Sequence, residues 1–115
     1  MKIRATIATG VTLYDLVFFD EVTNEWVKAT SHEGLIGSII GLDEGSTEAI
    51  IDLNGELQAY TSRVISPHGG SLNVENGRVF VDNNTGSSHR FILPYSGDLN
   101  SDGNIPSGSI VNIII

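Results

Sequence analysis

Residues 72–81 read Leu-Asn-Val-Glu-Asn-Gly-Arg-Val-Phe-Val, two short alternating runs on either side of Asn76-Gly77. An Asn-Gly pair in that setting is the strongest short-range hairpin signal, because a type I′ turn needs positive φ at both central residues. A two-residue turn sets Glu75 opposite Arg78, Val74 opposite Val79 and Leu72 opposite Val81. One face is then aliphatic and a charge pair closes the turn.

The rest of the chain reads as β structure too. The opening alternates Ile3, Ala5 and Ile7 against Arg4, Thr6 and Ala8, which suits an extended arm or edge strand over residues 1–9. A single β domain then spans 10–115. After a turn at Gly10, residues 11–20 (VTLYDLVFFD) are dominated by β-branched and aromatic side chains, and a polar loop leads to WVKAT at 26–30. Residues 34–41 (GLIGSIIG) carry too many glycines for a helix and predict a buried strand with a bulge or tight bend. The segment 41–50 offers at most one helical turn, with Ser46 or Thr47 as its cap. At the second Asn-Gly pair, Asn54-Gly55, a two-residue turn would place Asp52 against Leu57 and Ile51 against Gln58. That mixture demands either burial on both faces or a longer loop. Last come a strand near Arg90 to Leu93, a Gly/Asp/Asn/Ser stretch, and a strand from Ser109 to Ile115. The expected fold is all-β, a small antiparallel β-sandwich or partly open β-barrel of short strands and hairpins.

Composition narrows the function by exclusion. With 115 residues the chain is one domain, and without cysteine it has no disulfide, thiolate metal site or thiol nucleophile. Fourteen acids against six Lys and Arg give a formal charge of −8. The cations are scattered singly, which argues against nucleic acid and against an anionic membrane. The first ten residues lack the apolar stretch of a signal peptide, so the mature protein is expected to begin at Met1. Ile110 to Ile115 is too short to span a bilayer.

No constellation points to catalysis. Serines lack a G-x-S-x-G elbow, His68-Gly69-Gly70 has no accompanying phosphate-binding motif, and His32, His68 and His89 show no metal-ligand spacing. Asp98, Asn100 and Asp102, with Gly103 and Ile105, match the first half of a calcium loop. Position 12 of that loop is Ser109, not a bidentate acid, and turn formation is the plainer reading of the same residues. Calcium is therefore the one candidate cofactor, expected to bind weakly or not at all. Trp26, Tyr14, Tyr60 and Tyr95 suit either a sugar-stacking platform or a half-buried core. The Ile and Val content of 49–60 and 110–115 exceeds what one thin sheet buries on a single face, and predicts a homo-oligomer, a trimer being the expected order.

Residues 10–30, GVTLYDLVFFDEVTNEWVKAT, followed by GLIGSIIG at 34–41, resemble the small β-structured head decoration (cement) proteins of tailed bacteriophages. The likeness rests on Asp15-Leu16-Val17 within an apolar strand, Lys28-Ala29 closing the next, and Ile36-Gly37 opening a third. It covers residues 10–60, under half of the chain. It implies a structural protein on the capsid exterior of a virion, made in the host cytoplasm, that binds the major capsid protein lattice without catalysis. Ile3, Ala5 and Ile7, which have no obvious hairpin partner within the chain, either pair with its own sheet at long range or bind the partner through strand addition to a neighbouring sheet. The alternative is a receptor- or glycan-binding module of a phage tail or cell surface, with calcium as a stabiliser.

Overall fold

The computed structural model describes residues 1–31, 33–53, 55–67, 71–81, 90–92 and 95–114. Its hairpin at Asn76-Gly77 pairs β7 (Leu72–Glu75) with β8 (Arg78–Val81) in the register the sequence predicts, Leu72↔Val81 to Glu75↔Arg78. Asn76 and Gly77 stand at φ 47° and 81°, the left-handed conformations that a type I′ turn requires. Leu72, Val74 and Val79 are buried. The charge pair is not the expected one. Glu75 is held by Arg63, whose Nη2 lies 2.9 Å from Oε2, while Arg78 lies over the Tyr60 ring.

The remaining strands are β1 (Lys2–Thr6), β2 (Leu16–Asp20), β3 (Glu25–Lys28), β4 (Gly37–Leu42), β5 (Glu48–Asp52), β6 (Glu56–Tyr60), β9 (Arg90–Ile92) and β10 (Ile110–Ile114). One sheet runs β1-β5-β4-β2-β3 and a second runs β6-β10-β9, all antiparallel, with β7-β8 as a third unit. No helix occurs among the described residues, and so none long and apolar enough to cross a membrane. The chain is all-β. The edges of the first sheet meet only at one end, through a parallel bridge from Ile7 to Trp26. The sheet curls without closing into a barrel.

Two cores result. One collects Ile7, Val11, Val17, Trp26, Ile39, Ala49 and Ile51 inside the curl of the first sheet. The other lies between that sheet, the hairpin and the second sheet, around Leu16, Leu57, Leu72, Val79 and Ile113. Leu16 and Val17 are chain neighbours yet each is fully buried, one in each core. Strand β2 is therefore covered on both faces, which is why its sequence shows no clean alternation.

Three sequence expectations need correction. β5 and β6, which flank Asn54-Gly55, do not pair with each other but lie in different sheets. The mixed faces of a hairpin there never arise, since Ala49 and Ile51 point into one core while Leu57 and Ala59 point into the other. Residues 43–47 form the β4–β5 turn and not a helical turn. Gly45 and Ser46 take φ 90° and 55°, and the Ser46 amide donates to the Asp43 carbonyl. Finally, most of the apolar surplus in 49–60 and 110–115 is consumed inside the chain, where Ala49, Ile51, Leu57, Ala59, Val111 and Ile113 are all buried. The bulge in β4 is where the glycines suggest, with a register shift between Ile39 and Gly41.

Candidate functional site

The least ordinary chemistry sits where the β7–β8 turn docks onto the first sheet. The Gly77 amide donates to the Ala29 carbonyl and the Leu16 amide donates to the Gly77 carbonyl, both at 2.8 Å. A side chain at Gly77 would meet Asp15 Oδ1, the Leu16 carbonyl oxygen and Lys28 Cγ at 3.3 Å each. Glycine is favoured there on both grounds, since any side chain would be strained by the positive φ and would crowd these atoms.

Asp15 lies beneath this contact, 2% exposed. Its Oδ2 accepts from the Thr12 amide at 2.9 Å, with Lys28 Nζ 3.9 Å away. Burial pushes the carboxyl above the usual carboxylate range. The Thr12 hydrogen bond and the charges of Lys28 and Arg78 pull the other way and do not cancel it. Just before it, Tyr14 holds a φ of 65°, an uncommon conformation for a bulky residue, costing on the order of 1–3 kcal/mol. Its amide donates to the Ile39 carbonyl, and its ring meets Tyr60 edge-on at 5.8 Å. The Arg78 guanidinium stands 5.3 Å from the Tyr60 centroid. A strained aromatic, a buried acid and two cations therefore share the junction of three β units. The sequence signal for it is a lone acid, Asp15, inside the apolar run 11–19.

The four aromatics do not form one platform. Tyr14 and Tyr60 come together, Trp26 is buried against Phe19 at 5.7 Å, and Tyr95 packs on the larger core.

At the N-terminus, β1 is the edge strand of the first sheet, paired with β5 from Lys2↔Asp52 to Thr6↔Glu48. Ile3, Ala5 and Ile7 face the chain's own core, with Ile7 3% exposed. The Leu53 amide donates to the Met1 carbonyl and the Ile7 amide to the Thr47 carbonyl. In this register the odd-numbered residues bond to β5, so the backbone groups of Lys2 and Arg4 point away from it. What β1 offers to a partner is this backbone edge and the side chains of Lys2 and Arg4, not the apolar row.

In the 98–104 loop, Asn100 Oδ1 accepts from the amides of Asp102 and Asn104 at 3.0 and 2.9 Å. Gly103, at φ 77°, returns its amide to the Asn100 carbonyl. Both lone pairs of the amide oxygen are engaged by the backbone, so calcium coordination by Asn100 requires these bonds to give way. Among the described residues no three of His, Cys, Asp and Glu converge as metal ligands. His32, His68, His89 and the His68-Gly69-Gly70 segment lie outside the described residues.

An open cleft of about 360 Å³ separates the two larger sheets, lined by Ile40, Asp52, Glu56, Leu57, Gln58 and Asn112. Its lining mixes polar and apolar side chains, and none of the expected site residues reaches it. No protein-family model matches the chain, and no solved structure matches it significantly.

Proposed function

We propose that this chain is a non-catalytic structural protein that binds the outer lattice of a tailed-phage capsid and stabilises the head. The reading is carried by one observation: the stretch that resembles decoration proteins, residues 10–60, supplies four of the five strands of a single sheet, whose fifth is the edge strand β1. A free edge of this kind accepts a strand from another protein by backbone hydrogen bonding. The buried acid supports the same view, because among the described residues Asp15 is enclosed between Thr12, Lys28 and the hairpin. Self-association as a trimer belongs to the proposal. Within 49–60 and 110–115 its support lies on the outer face of β10, where Ile110 and Ile114 remain 40% and 51% exposed.

The experiment is to incubate the protein with undecorated tailed-phage capsids, then pellet them. Saturable co-sedimentation that raises capsid resistance to heat is expected. Capsids that pellet without the protein would overturn the reading.

Receptor or glycan binding is the second reading, favoured by Tyr14, which spends backbone strain to hold its ring against Tyr60 beside Arg78. A glycan panel decides between them. Binding that disappears in a folded Tyr60→Ala protein, together with no capsid binding, selects this second reading.

A further inference from the structure

We infer that Asn76 is a covalent modification site, a deamidation site held closed by docking of its hairpin and open only when that hairpin leaves the sheet. The dipeptide is intrinsically reactive. Glycine at the next position puts no side chain in the way of its own amide nitrogen, which attacks the asparagine side-chain carbon. In that step the Gly77 N to Asn76 Cγ bond forms, the Cγ to amide nitrogen bond breaks, and ammonia leaves. One water then opens the succinimide to aspartate or isoaspartate.

The structure treats the two residues differently. Asn76 is exposed, so water and base reach its side chain, whereas Gly77 is buried. The nucleophile, the Gly77 nitrogen, has its proton committed to the Ala29 carbonyl at 2.8 Å. The Gly77 carbonyl is fixed by the Leu16 amide at the same distance, and both residues are set in left-handed conformations. Attack therefore requires that two tertiary hydrogen bonds break and the turn re-form in another geometry. Reactivity follows the opening of the hairpin, a local event that need not be global unfolding.

The product makes the opening one-way. Isoaspartate inserts an extra backbone carbon between residues 76 and 77. The turn then has one atom too many to satisfy both Ala29 and Leu16, and the packing above Asp15 Oδ1 and Lys28 Cγ, 3.3 Å from a Gly77 Cβ, is too tight to take up the excess without displacing them. An ordinary aspartate at 76 adds only a solvated charge and leaves the backbone unchanged.

Two arms test this. The protein is held at mildly alkaline pH, native and in denaturant, and peptides are mapped by mass over time. In denaturant, Asn76 should react at a rate similar to the other Asn-Gly pair, Asn54-Gly55. In the native protein its rate should fall by roughly tenfold or more, by the cost of local opening. In the second arm, an Asn54→Gln chain is deamidated in denaturant, refolded, and its isoaspartyl-76 form separated. That form should melt below Asn76→Asp, which should melt near wild type. Equal native and denatured rates at Asn76, or an isoaspartyl form as stable as Asn76→Asp, would overturn the inference.

Discussion

The amide of Gly77 donates to the carbonyl of Ala29 at 2.8 Å, and through that bond the tip of one hairpin is sewn into the backbone of a sheet to which it does not belong. Ala29 in turn donates to the Leu16 carbonyl, and Leu16 donates to the Gly77 carbonyl, so residues from three segments share a closed ring of backbone bonds. Each bond satisfies buried polar groups of the backbone, and losing any one strands its partner.

Replacing Gly77 by valine is therefore expected to be among the most damaging substitutions in the chain. The left-handed φ of 81° alone costs an ordinary residue about 1–2 kcal/mol. The Cβ also crowds Asp15, Leu16 and Lys28. Urea denaturation should show a loss exceeding that figure, and a Gly77→Val protein as stable as wild type would contradict the docking geometry.

Asp15→Asn should stabilise the protein at neutral pH. The folded carboxyl is raised above its unfolded value, so the folded state binds the extra proton. The contribution of Asp15 is then fully present below the unfolded value of about 3.9 and is lost as pH rises through the folded one. Asparagine keeps an oxygen for the Thr12 amide and has no proton to lose. Relative to wild type, Asp15→Asn should gain stability as pH rises from about 3 to about 7. A variant that loses stability over that range would mean that the Lys28 pairing outweighs burial.

Gly37 and Gly41 share β4 yet should respond in opposite ways to alanine. A Cβ at Gly37 would press into Ile51 and Leu53 and approach the Asp52 carbonyl, so Gly37→Ala should cost about 1–3 kcal/mol by overpacking. At Gly41 the nearest atom is Ile50 Cδ1 at 3.6 Å, an ordinary contact. Gly41→Ala should be neutral or gain up to about 1 kcal/mol through the unfolded state. Paired thermal melts check both directions.

Local features were readable in the sequence and long-range ones were not. The register from Leu72↔Val81 to Glu75↔Arg78 follows from turn chemistry and side-chain alternation over ten residues. Asn54-Gly55 carries the same signal, but a turn signal does not say which strand the chain meets next, and β5 and β6 go to separate sheets. Glu75 takes its cation from Arg63, twelve residues back, because the parallel bridge between Thr61 and Val79 brings that segment alongside the hairpin. The junction at Asp15 was legible only as a lone acid in an apolar run. Its burial depends on Gly77, which no local pattern connects to it.

Glu75 gives that misassigned pair a direct test. Arg63 and Ser62 hydrogen-bond its carboxylate and hold it below the usual range. In a proton titration followed by NMR, Arg63→Ala should return Glu75 toward ordinary carboxylate behaviour. Arg78→Ala should leave it where it is. The reverse result would restore the cross-strand partner that the sequence suggested.

The N-terminal segment separates a role in the fold from a role in binding. Ile7 is buried among Val17, Trp26 and Ile39, and its amide bonds to Thr47, so Ile7→Ala should cost about 2–5 kcal/mol. Deleting residues 1–9 should cost at least as much, and the truncated protein should melt early or aggregate. Deletion therefore cannot isolate a binding function of β1, but Arg4→Pro can. The Arg4 amide points away from β5 in the observed register, so proline there removes no ladder bond and gives up only the exposed pairing with Asp43 and Glu48. Its missing N–H and its ring block strand addition along the outer edge. If capsids recognise this edge, Arg4→Pro protein should keep its melting temperature within a few degrees and lose co-sedimentation with undecorated capsids. Undiminished co-sedimentation would move the contact to another surface, with the outer face of β10 next in line.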